Sequence, residues 1–517
     1  MTQPTTAATA PTTTTTKTTT TTPAFDVAEM VSYIETMAGF GARRAGTDAN
    51  HRTEDFLVER LTHFGCENVR REAIAIEKWT VERSSFEVGT GAGAGFSPMA
   101  AQWLPYCAFT PPGGIEAELV YADPARLRQG GDWRGKIVVT DIEFPALDVA
   151  MLGKLSFGRY DPDNTLERIK HPATWVRKNW HFYREAINRG AVGFVGILKD
   201  QPGGSHRMYA PYGFREQNIL DKPLPGFWVG RDDGPRLREL ARAGGQARLT
   251  LTGQRGPGVT HNIVAEIPGI GGPGGGGDDE VVILHSHHDS PFKSPVEDAS
   301  GCAVVLGLAK HFAGQQGGGV KRRIVVLFTA GHFYGSIGTR TFIAKHAHDV
   351  VPRVALEISI EHIAKEAEEG PDGKSLVATG RPEGMGVFVP FNSAMVAAVL
   401  KNLETHHVDR SFLLPCEGPL GDFPPTDGGD WYEAGVPVVN LISNPVYLLN
   451  EEDDFEWVDQ ARLVPVAEAV AGLVRDVDGL TKAQIGEVEF KAKKLQMQLL
   501  KHVVRAKTTW FGTRPVY

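Results

Sequence analysis

Hydrophobic positions in the second half of the chain alternate between short apolar runs and amphipathic stretches. Residues 281–284 are four apolar residues in a row, which is typical of a parallel strand buried on both faces. Residues 300–313 carry apolar positions at helical spacing instead. The alternation predicts an α/β fold with a mostly parallel central sheet flanked by helices. Further strands are predicted at 324–328, 354–360 and 437–442, and further helices at 338–346, 392–404, 459–474 and 481–506.

The first half of the chain has a different pattern of hydrophobic and polar residues. Residues 25–40 and 51–64 have helical spacing, and residues 68–87 resemble a strand. From 96 to 257, glycine, proline and short β-like runs alternate. This predicts a small, self-contained β-rich domain inserted between two parts of a catalytic α/β domain, residues 24–95 and 258–517.

Two segments leave their roles open. Residues 151–183 form a long excursion rich in aromatic and histidine residues, and long loops are often functional. This segment is expected either to act as a lid or to fill the seam between the domains. The last predicted helix is expected to cover the sheet or to form a partner contact, and a homo-oligomer is one such arrangement.

Composition and charge exclude several classes of protein. The 517 residues carry a net charge of -8 and no run rich in lysine or arginine, which argues against a nucleic-acid partner. No apolar stretch has the length of a membrane span. The four cysteines are scattered without a CxxC pair, which favours a reducing compartment. The threonine-rich residues 1–23 lack the apolar core of a secretory signal, so a disordered tail and a cytoplasmic location are expected.

Candidate chemistry follows the strand at 281–284. Side chains alternate along a strand, so His285, His287 and Asp289 share one face while His288 takes the other. Asp298 follows shortly afterwards, just before a helix. Imidazole nitrogen and carboxylate oxygen are ligands that suit zinc, iron or manganese.

Later strand ends add further candidates. His332 follows the strand at 324–328, and Glu361 follows the strand at 354–360. If the strands are parallel neighbours, His287, Asp298, His332 and Glu361 meet at one edge of the sheet. Two imidazoles and two carboxylates can hold one divalent metal ion and leave a position for water. His362 and Glu366 have helical spacing as well, but the run 361–369 is dense in charge and is interpreted as a solvated face.

These motifs resemble the co-catalytic zinc aminopeptidases with an inserted protease-associated (PA) domain, a group that includes bacterial leucyl aminopeptidases and glutamate carboxypeptidase. In the insert the resemblance rests on residues 135–139 and 186–193. Residues 261–269 are similar to the return into the catalytic domain. Residues 287–289 and 298–301 are similar to the His-x-Asp and Asp-x-Ser-Gly motifs of that family.

The resemblance implies a set of roles. His287 is expected to be a metal ligand, and Asp298 the carboxylate shared between two metals. Asp289 is expected to orient His287, and Glu361 stands where the family has a metal-binding aspartate. Asp427 falls in a turn that lines the substrate pocket in the family, and Tyr447 is expected at the same pocket.

The chain also departs from the family pattern. Gly331 and His332 stand where the family has its general base and a glutamate ligand, and Leu448 stands where it has its last histidine ligand. The losses predict a single divalent ion, with zinc favoured over iron or manganese. His285 is the first candidate to replace the base because it shares the metal face. Its alternative role is to hold a metal ligand in place.

Three functions compete on this basis. The first is a metallohydrolase that cleaves an amide or other C–N bond of a small or short peptide-like substrate, rather than a general aminopeptidase. The second is different chemistry at the retained site, such as a lyase or non-haem iron reaction. The third is a non-catalytic binding or assembly protein. The retention of several ligand types at the ends of three strands favours the hydrolase.

Overall fold

The structure is a computed structural model. It describes residues 25–90, 95–123, 131–144, 146, 149–169, 181–209, 223–271, 280–315 and 319–510, with the backbone alone for 504–510. The predicted threonine-rich tail lies outside these residues.

The chain begins with two capped helices, and the second of them packs against the long strand that follows it. Asp26 accepts the backbone N–H of Ala28 at the start of the first helix, and Thr47 accepts that of Asn50 at the start of the second. The elements of the first half, in chain order, are α1 (Val27–Gly39), α2 (Asp48–His63), β1 (Glu67–Gly89), β2 (Ser97–Pro98), β3 (Ala101–Trp103), β4 (Ile115–Tyr121), β5 (Ile137–Ile142), α3 (Val149–Leu155), β6 (Gly158–Tyr160), α4 (His181–Asn188), β7 (Gly193–Leu198), β8 (Gly226–Gly230), α5 (Gly234–Arg242) and β9 (Gln246–Ile267).

The second half alternates between strands and helices, as the hydrophobic pattern predicts. Its elements are β10 (Val281–His287), α6 (Gly301–Ala313), β11 (Arg323–Thr329), α7 (Ile337–Lys345), β12 (Val354–Glu361), β13 (Lys365–Glu369), β14 (Leu376–Pro382), β15 (Met385–Val389), α8 (Ser393–Thr405), β16 (Ser411–Pro415), α9 (Gly429–Glu433), β17 (Val438–Ser443), α10 (Gln460–Val477), α11 (Lys482–Gly486) and α12 (Lys491–Trp510).

The central sheet is mixed, with its parallel strands at the middle. In the order β9-β11-β10-β12-β17-β15-β16, strand β10 is parallel to β11 and β12, and β12 is parallel to β17. Every residue of β10 and β12 is buried. A buried strand must be apolar on both faces, which explains the unbroken hydrophobic runs of the sequence. The predicted α/β class is therefore confirmed.

A long antiparallel ribbon connects this sheet with the strands of the insert. β1 pairs with β9 from Glu67 to Gly89, and β9 also pairs with β4 and β11. β4, β5, β7 and β8 then form a parallel set with its own apolar cluster. The assignment of this part as a PA-like domain, and the boundaries at 96 and 257, stay predictions.

The insert is not self-contained, contrary to the prediction. β6 pairs with β16 at the edge of the catalytic sheet, and Val149, Leu152, Leu166 and Ile169 join a cluster with residues of that sheet. Residues 151–169 of the 151–183 excursion are therefore packed against the catalytic domain rather than hinged over it. The aromatic part at 170–180 lies outside the described residues.

Helices cover both faces of the central sheet. α1, α6 and α10 pack on one face and α7 and α9 on the other. The single long helix predicted at 481–506 is wrong, because the structure has two helices there. Thr481 forms a capping box with Gln484, and α11 ends where Glu487 becomes extended. The backbone N–H groups of Glu489 and Phe490 then donate to Phe391 before α12 begins.

Two further observations bear on the expected environment. Within the described residues, the helices are too short or too polar to span a bilayer. Within the described residues the cysteines form no disulfide bond, and three of the four are buried.

Candidate metal centre

The candidate ligands lie at the carboxyl ends of three neighbouring parallel strands. β10 ends at His287, His332 follows β11, and β12 ends at Glu361 with His362 directly after it. All four side chains are buried. The carboxyl edge of an open α/β sheet is where its loops form ligand sites. The structure brings these strand ends together, as the sequence predicts.

Glu297 lies at the centre of the cluster. One of its carboxylate oxygens is 3.0 Å from Nε2 of His287, and the other is 2.5 Å from Nε2 of His362. Burial alone would raise the pKa of Glu297, but the two histidines hold it well below its ordinary value. Glu297 is therefore the carboxylate that bridges the two imidazoles.

Both imidazoles present the same nitrogen to Glu297. Nδ1 of His287 donates to the carbonyl of Asp289 at 3.0 Å, and Nδ1 of His362 donates to the carbonyl of Ser443 at 2.8 Å. Metal-binding histidines are oriented in this way, with the lone pair on Nε2. Within the described part of the chain, neither Nε2 atom has a partner with hydrogen-bond geometry. Such a donor set fits a metal cation.

Glu361 adds a second carboxylate to the same site. Glu361, His287 and His362 each offer one ligand atom, and these atoms lie within 4.8 Å of one another. Burial raises the pKa of Glu361 well above its ordinary value, and the nearby Asp427 carboxylate raises it further. Burial would lower the pKa of His362, but Glu297 raises it to about 10. The cluster therefore attracts positive charge, which protons or a divalent cation can supply.

The assignment of Asp298 as a metal ligand is contradicted by this geometry. Its carboxylate accepts the Ser286 hydroxyl at 2.6 Å and the backbone N–H of His362 at 3.0 Å. Burial raises the pKa of Asp298 to about 7. The backbone angles at Glu297 and Asp298 are not helical, so the first side chain enters the cluster and the second turns away. Asp298 supports His362 through the backbone instead.

Two buried side chains hold the loop that carries Glu297. Asp453 accepts the backbone N–H groups of Val296 and Glu297 at 3.0 and 2.9 Å. On the other side, the guanidinium of Arg43 donates to four carbonyl oxygens between residues 288 and 297, at distances of 2.5 to 3.4 Å. Neither Arg43 nor Asp453 was identified from the sequence, because isolated residues in loops carry no periodic signal.

His332 and Asp427 form a dyad beside the bridging glutamate. Nδ1 of His332 lies 2.8 Å from a carboxylate oxygen of Asp427, and the His332 ring stacks on His287 at 4.0 Å. A ligand atom of His332 also lies within 4.8 Å of those of His287 and Glu297. The Asp289 carboxylate accepts the backbone N–H of His332 at 3.0 Å. Asp289 therefore supports two histidines, since its carbonyl oxygen orients His287 as well.

His285 lies on the same strand face as His287 but is held on both sides. Its Nδ1 lies 2.9 Å from Glu357 and its Nε2 lies 3.0 Å from the hydroxyl of Thr329. Its Nε2 is also 3.7 Å from Asp427. With both nitrogens engaged, the alternative role of a positioning residue fits the geometry better than that of a general base.

Tyr447 is a core residue, so its predicted place at the substrate pocket is wrong. Its side chain is fully buried, and its ring stacks on Trp457 at 5.0 Å. Its hydroxyl donates to the carbonyl oxygen of Lys365 at 2.8 Å. Its neighbour Leu448, which replaces a histidine ligand of the resembled family, is buried in an apolar cluster.

Gly331 stands where the resembled family has its base, and the structure shows why a side chain is excluded. Its φ angle is +70°, and a Cβ atom would lie 2.4 Å from Cγ2 of Ile337. Both features favour glycine. The loss of the base is thus built into the backbone at this turn.

His362 is the functional candidate that the sequence pattern misplaced. Residues 365–369 form strand β13 rather than a helix, and His362 is 3% exposed. Its positive φ angle of 58° turns it away from the path of β12. Glu366 is also buried and pairs with Arg410. One sequence signal could have identified His362 as a site residue: it directly follows Glu361 at the end of a strand.

Comparison with known proteins gives a family match over the part of the chain that carries this site. The model of peptidase family M28 matches residues 262–474, which include β10, β11, β12 and β17. The chain is therefore similar to peptidase family M28 over these residues, which are called the M28 domain below. The predicted relationship to the co-catalytic zinc aminopeptidases is confirmed. A search of curated proteins gave no significant match.

Solved structures share the fold of the M28 domain and its surroundings. An M28 peptidase precursor from Shewanella amazonensis SB2B has a TM-score of 0.64 at 17% identity, covering 89% of this chain and 94% of that chain. A zinc aminopeptidase from Bacillus subtilis has a TM-score of 0.61 at 16% identity, covering 89% and 98%. An aminopeptidase from Aneurinibacillus sp. strain AM-1 has a TM-score of 0.57 at 17% identity, covering 87% and 93%. Together with the family match, they support a metal-dependent, peptidase-like hydrolase.

Proposed function

We propose that the protein is a metal-dependent hydrolase that cleaves an amide or other C–N bond of a small or short peptide-like substrate. His287, Glu297, Glu361 and His362 would hold a single divalent ion. The proposal rests on one observation above all: two imidazole nitrogens without hydrogen bonds face the same buried carboxylate. A buried charge cluster of this kind is costly unless a cation completes it.

Zinc is the ion we favour. Imidazole nitrogens and carboxylate oxygens are its usual ligands in hydrolases. The Bacillus subtilis relative is a zinc aminopeptidase by name, which supports the same choice. When bound, zinc lowers the pKa of water and polarises a carbonyl group.

The His332–Asp427 dyad supplies the base in this proposal. A carboxylate only accepts hydrogen bonds, so the proton of His332 lies on Nδ1, facing Asp427 at 2.8 Å. Nε2 is then the atom that accepts a proton. The backbone N–H of Asp427 donates to Glu361, which fixes the dyad relative to the proposed ligands. A histidine base in place of glutamate favours a reaction other than general peptide hydrolysis.

In this proposal the substrate binds next to a row of aromatic side chains that connects the catalytic domain with the insert. Phe333 packs edge-on against His287 at 5.8 Å and against Tyr209 of the insert at 5.5 Å. Tyr209 contacts Phe292, and its backbone N–H donates to the carbonyl oxygen of Leu449. An aromatic wall close to the proposed ligands favours a small substrate with an apolar group.

The first experiment measures metal content and turnover of the purified full-length protein. We expect one zinc per chain at the centre, hydrolysis of small amides and little turnover of aminoacyl anilides. Bound iron would favour the second chemistry, a non-haem iron reaction. A protein that binds no metal would overturn the proposal and favour a non-catalytic role.

The second experiment tests the dyad. Asp427→Asn should lower kcat about 10²–10⁴-fold, the usual contribution of a general base. The matched control is Asp372→Asn, which changes an exposed aspartate in the turn between β13 and β14. Equal activity of the two variants would exclude the dyad as the base.

A further inference from the structure

A second cluster of metal-binding side chains lies outside the M28 site, between α2 and β9. It consists of His51, Glu54 and His261. One oxygen of Glu54, Oε2, is 3.0 Å from Nδ1 of His51 and 2.8 Å from Nδ1 of His261. Ligand atoms of the three residues all lie within 4.8 Å of one another. His51 and Glu54 are three residues apart on a helix, which places them on one face.

The carboxylate of this cluster is held in position by its other oxygen. Oε1 of Glu54 accepts the backbone N–H of His261 at 2.9 Å and the hydroxyl of Thr260 at 3.1 Å. Glu54 is 2% exposed. These contacts leave Oε2 directed at the two imidazoles, in the manner of the outer contacts that orient metal ligands.

The cluster differs from the M28 site in its access to solvent. The side chains of His51 and His261 are 37% and 22% exposed, so an ion can enter from the surface. Two imidazole nitrogens and one carboxylate oxygen form a common three-ligand set for zinc, which takes water as its fourth ligand. The imidazoles favour a transition metal over calcium or magnesium.

We infer that His51, Glu54 and His261 form a second binding site for a divalent transition metal such as zinc. The ion would join α2, before the insert, to β9, after it, and so stabilise the region where the two parts of the catalytic domain meet. The region borders the M28 site through His288. Its Nε2 is 2.9 Å from the carbonyl oxygen of His261, and its Nδ1 is 3.2 Å from the side-chain amide of Asn50.

Zinc titration of metal-free full-length protein tests this inference by counting bound ions. The double variant His51→Ala/His261→Ala should bind one zinc per chain fewer than the wild type. His63→Ala removes an exposed histidine from the same helix and should leave the number unchanged. An unchanged zinc number in the double variant would overturn the inference.

A second series separates this site from the M28 centre. In a His287→Ala/His362→Ala background, added zinc should still raise the thermal unfolding midpoint, and His51→Ala should abolish that rise. His51 is half-exposed on a helix surface, so its replacement leaves the core intact. If zinc still raises the unfolding midpoint after His51→Ala, the second metal site is contradicted. That result would leave the proposal for the M28 centre unaffected.

Discussion

Arg43→Lys is expected to destabilise the protein and to weaken metal binding, although it preserves the charge. The Arg43 guanidinium is buried and donates to the carbonyl oxygens of His288, Lys293, Ser294 and Glu297. These acceptors span the loop from the end of β10 to the bridging glutamate. A lysine ammonium is a single point and cannot reach all four acceptors at once.

The expected magnitude follows from the hydrogen bonds that a lysine cannot make. If lysine keeps one acceptor, three carbonyl oxygens lose a charged donor. At about 1 kcal/mol of net stability for each hydrogen bond, the loss is about 2–4 kcal/mol. Because the loop carries Glu297, zinc affinity should also fall about 10–100-fold, as it does when outer-shell partners are removed.

Thermal unfolding of the metal-free protein and zinc titration measure the two effects. Arg52→Lys is the matched control, since Arg52 is exposed and donates to one carbonyl, that of Phe40. It should behave like the wild type. If Arg43→Lys matches this control in both measurements, the guanidinium does not hold the loop and the reasoning is refuted.

Three further predictions concern separate parts of the molecule. Gly331→Ala should lower the unfolding midpoint, because φ is +70° and Cβ would clash with Ile337; an unchanged midpoint would contradict this. Tyr447→Phe should cost about 1 kcal/mol of stability and leave KM unchanged, because the hydroxyl binds a core carbonyl; a raised KM would return Tyr447 to the pocket. Burial would raise the pKa of Glu72, but ion pairs with basic side chains lower it below its ordinary value. Its contribution to stability is therefore fully present above the ordinary glutamate pKa and is lost as the pH falls through the lowered pKa. Glu72→Gln should therefore reduce stability most at neutral pH and progressively less as the pH falls below the ordinary glutamate pKa, and a pH-independent effect would exclude this linkage.

The sequence was sufficient for the α/β alternation and for the meeting of strand ends, because buried parallel strands leave a continuous apolar signature. His287 could be placed for the same reason, since side chains alternate regularly along β10. The strands β13 to β16 were missed. β13 is rich in glutamate and lysine, so it has no apolar run that would indicate a strand.

The choice between Glu297 and Asp298 could not be made from the sequence. The segment between β10 and α6 is neither strand nor regular helix, and Ser294 has a φ angle of 40°. Neither period of 2 nor period of 3.6 applies there, so the pattern cannot distinguish two adjacent carboxylates. His362 was missed for a related reason. Its charged neighbours indicated a solvated face, but its left-handed backbone conformation turns its side chain into the site.

The identity of the bridging carboxylate is tested most directly by zinc occupancy of the M28 centre in Glu297→Gln and Asp298→Asn, both made in the His51→Ala/His261→Ala background. Glu297→Gln should lose the zinc of this centre, because it removes the charge between His287 and His362. Asp298→Asn should retain that zinc, with an affinity reduced only by the loss of outer-shell support. Retention of zinc by Glu297→Gln together with its loss from Asp298→Asn would contradict the account.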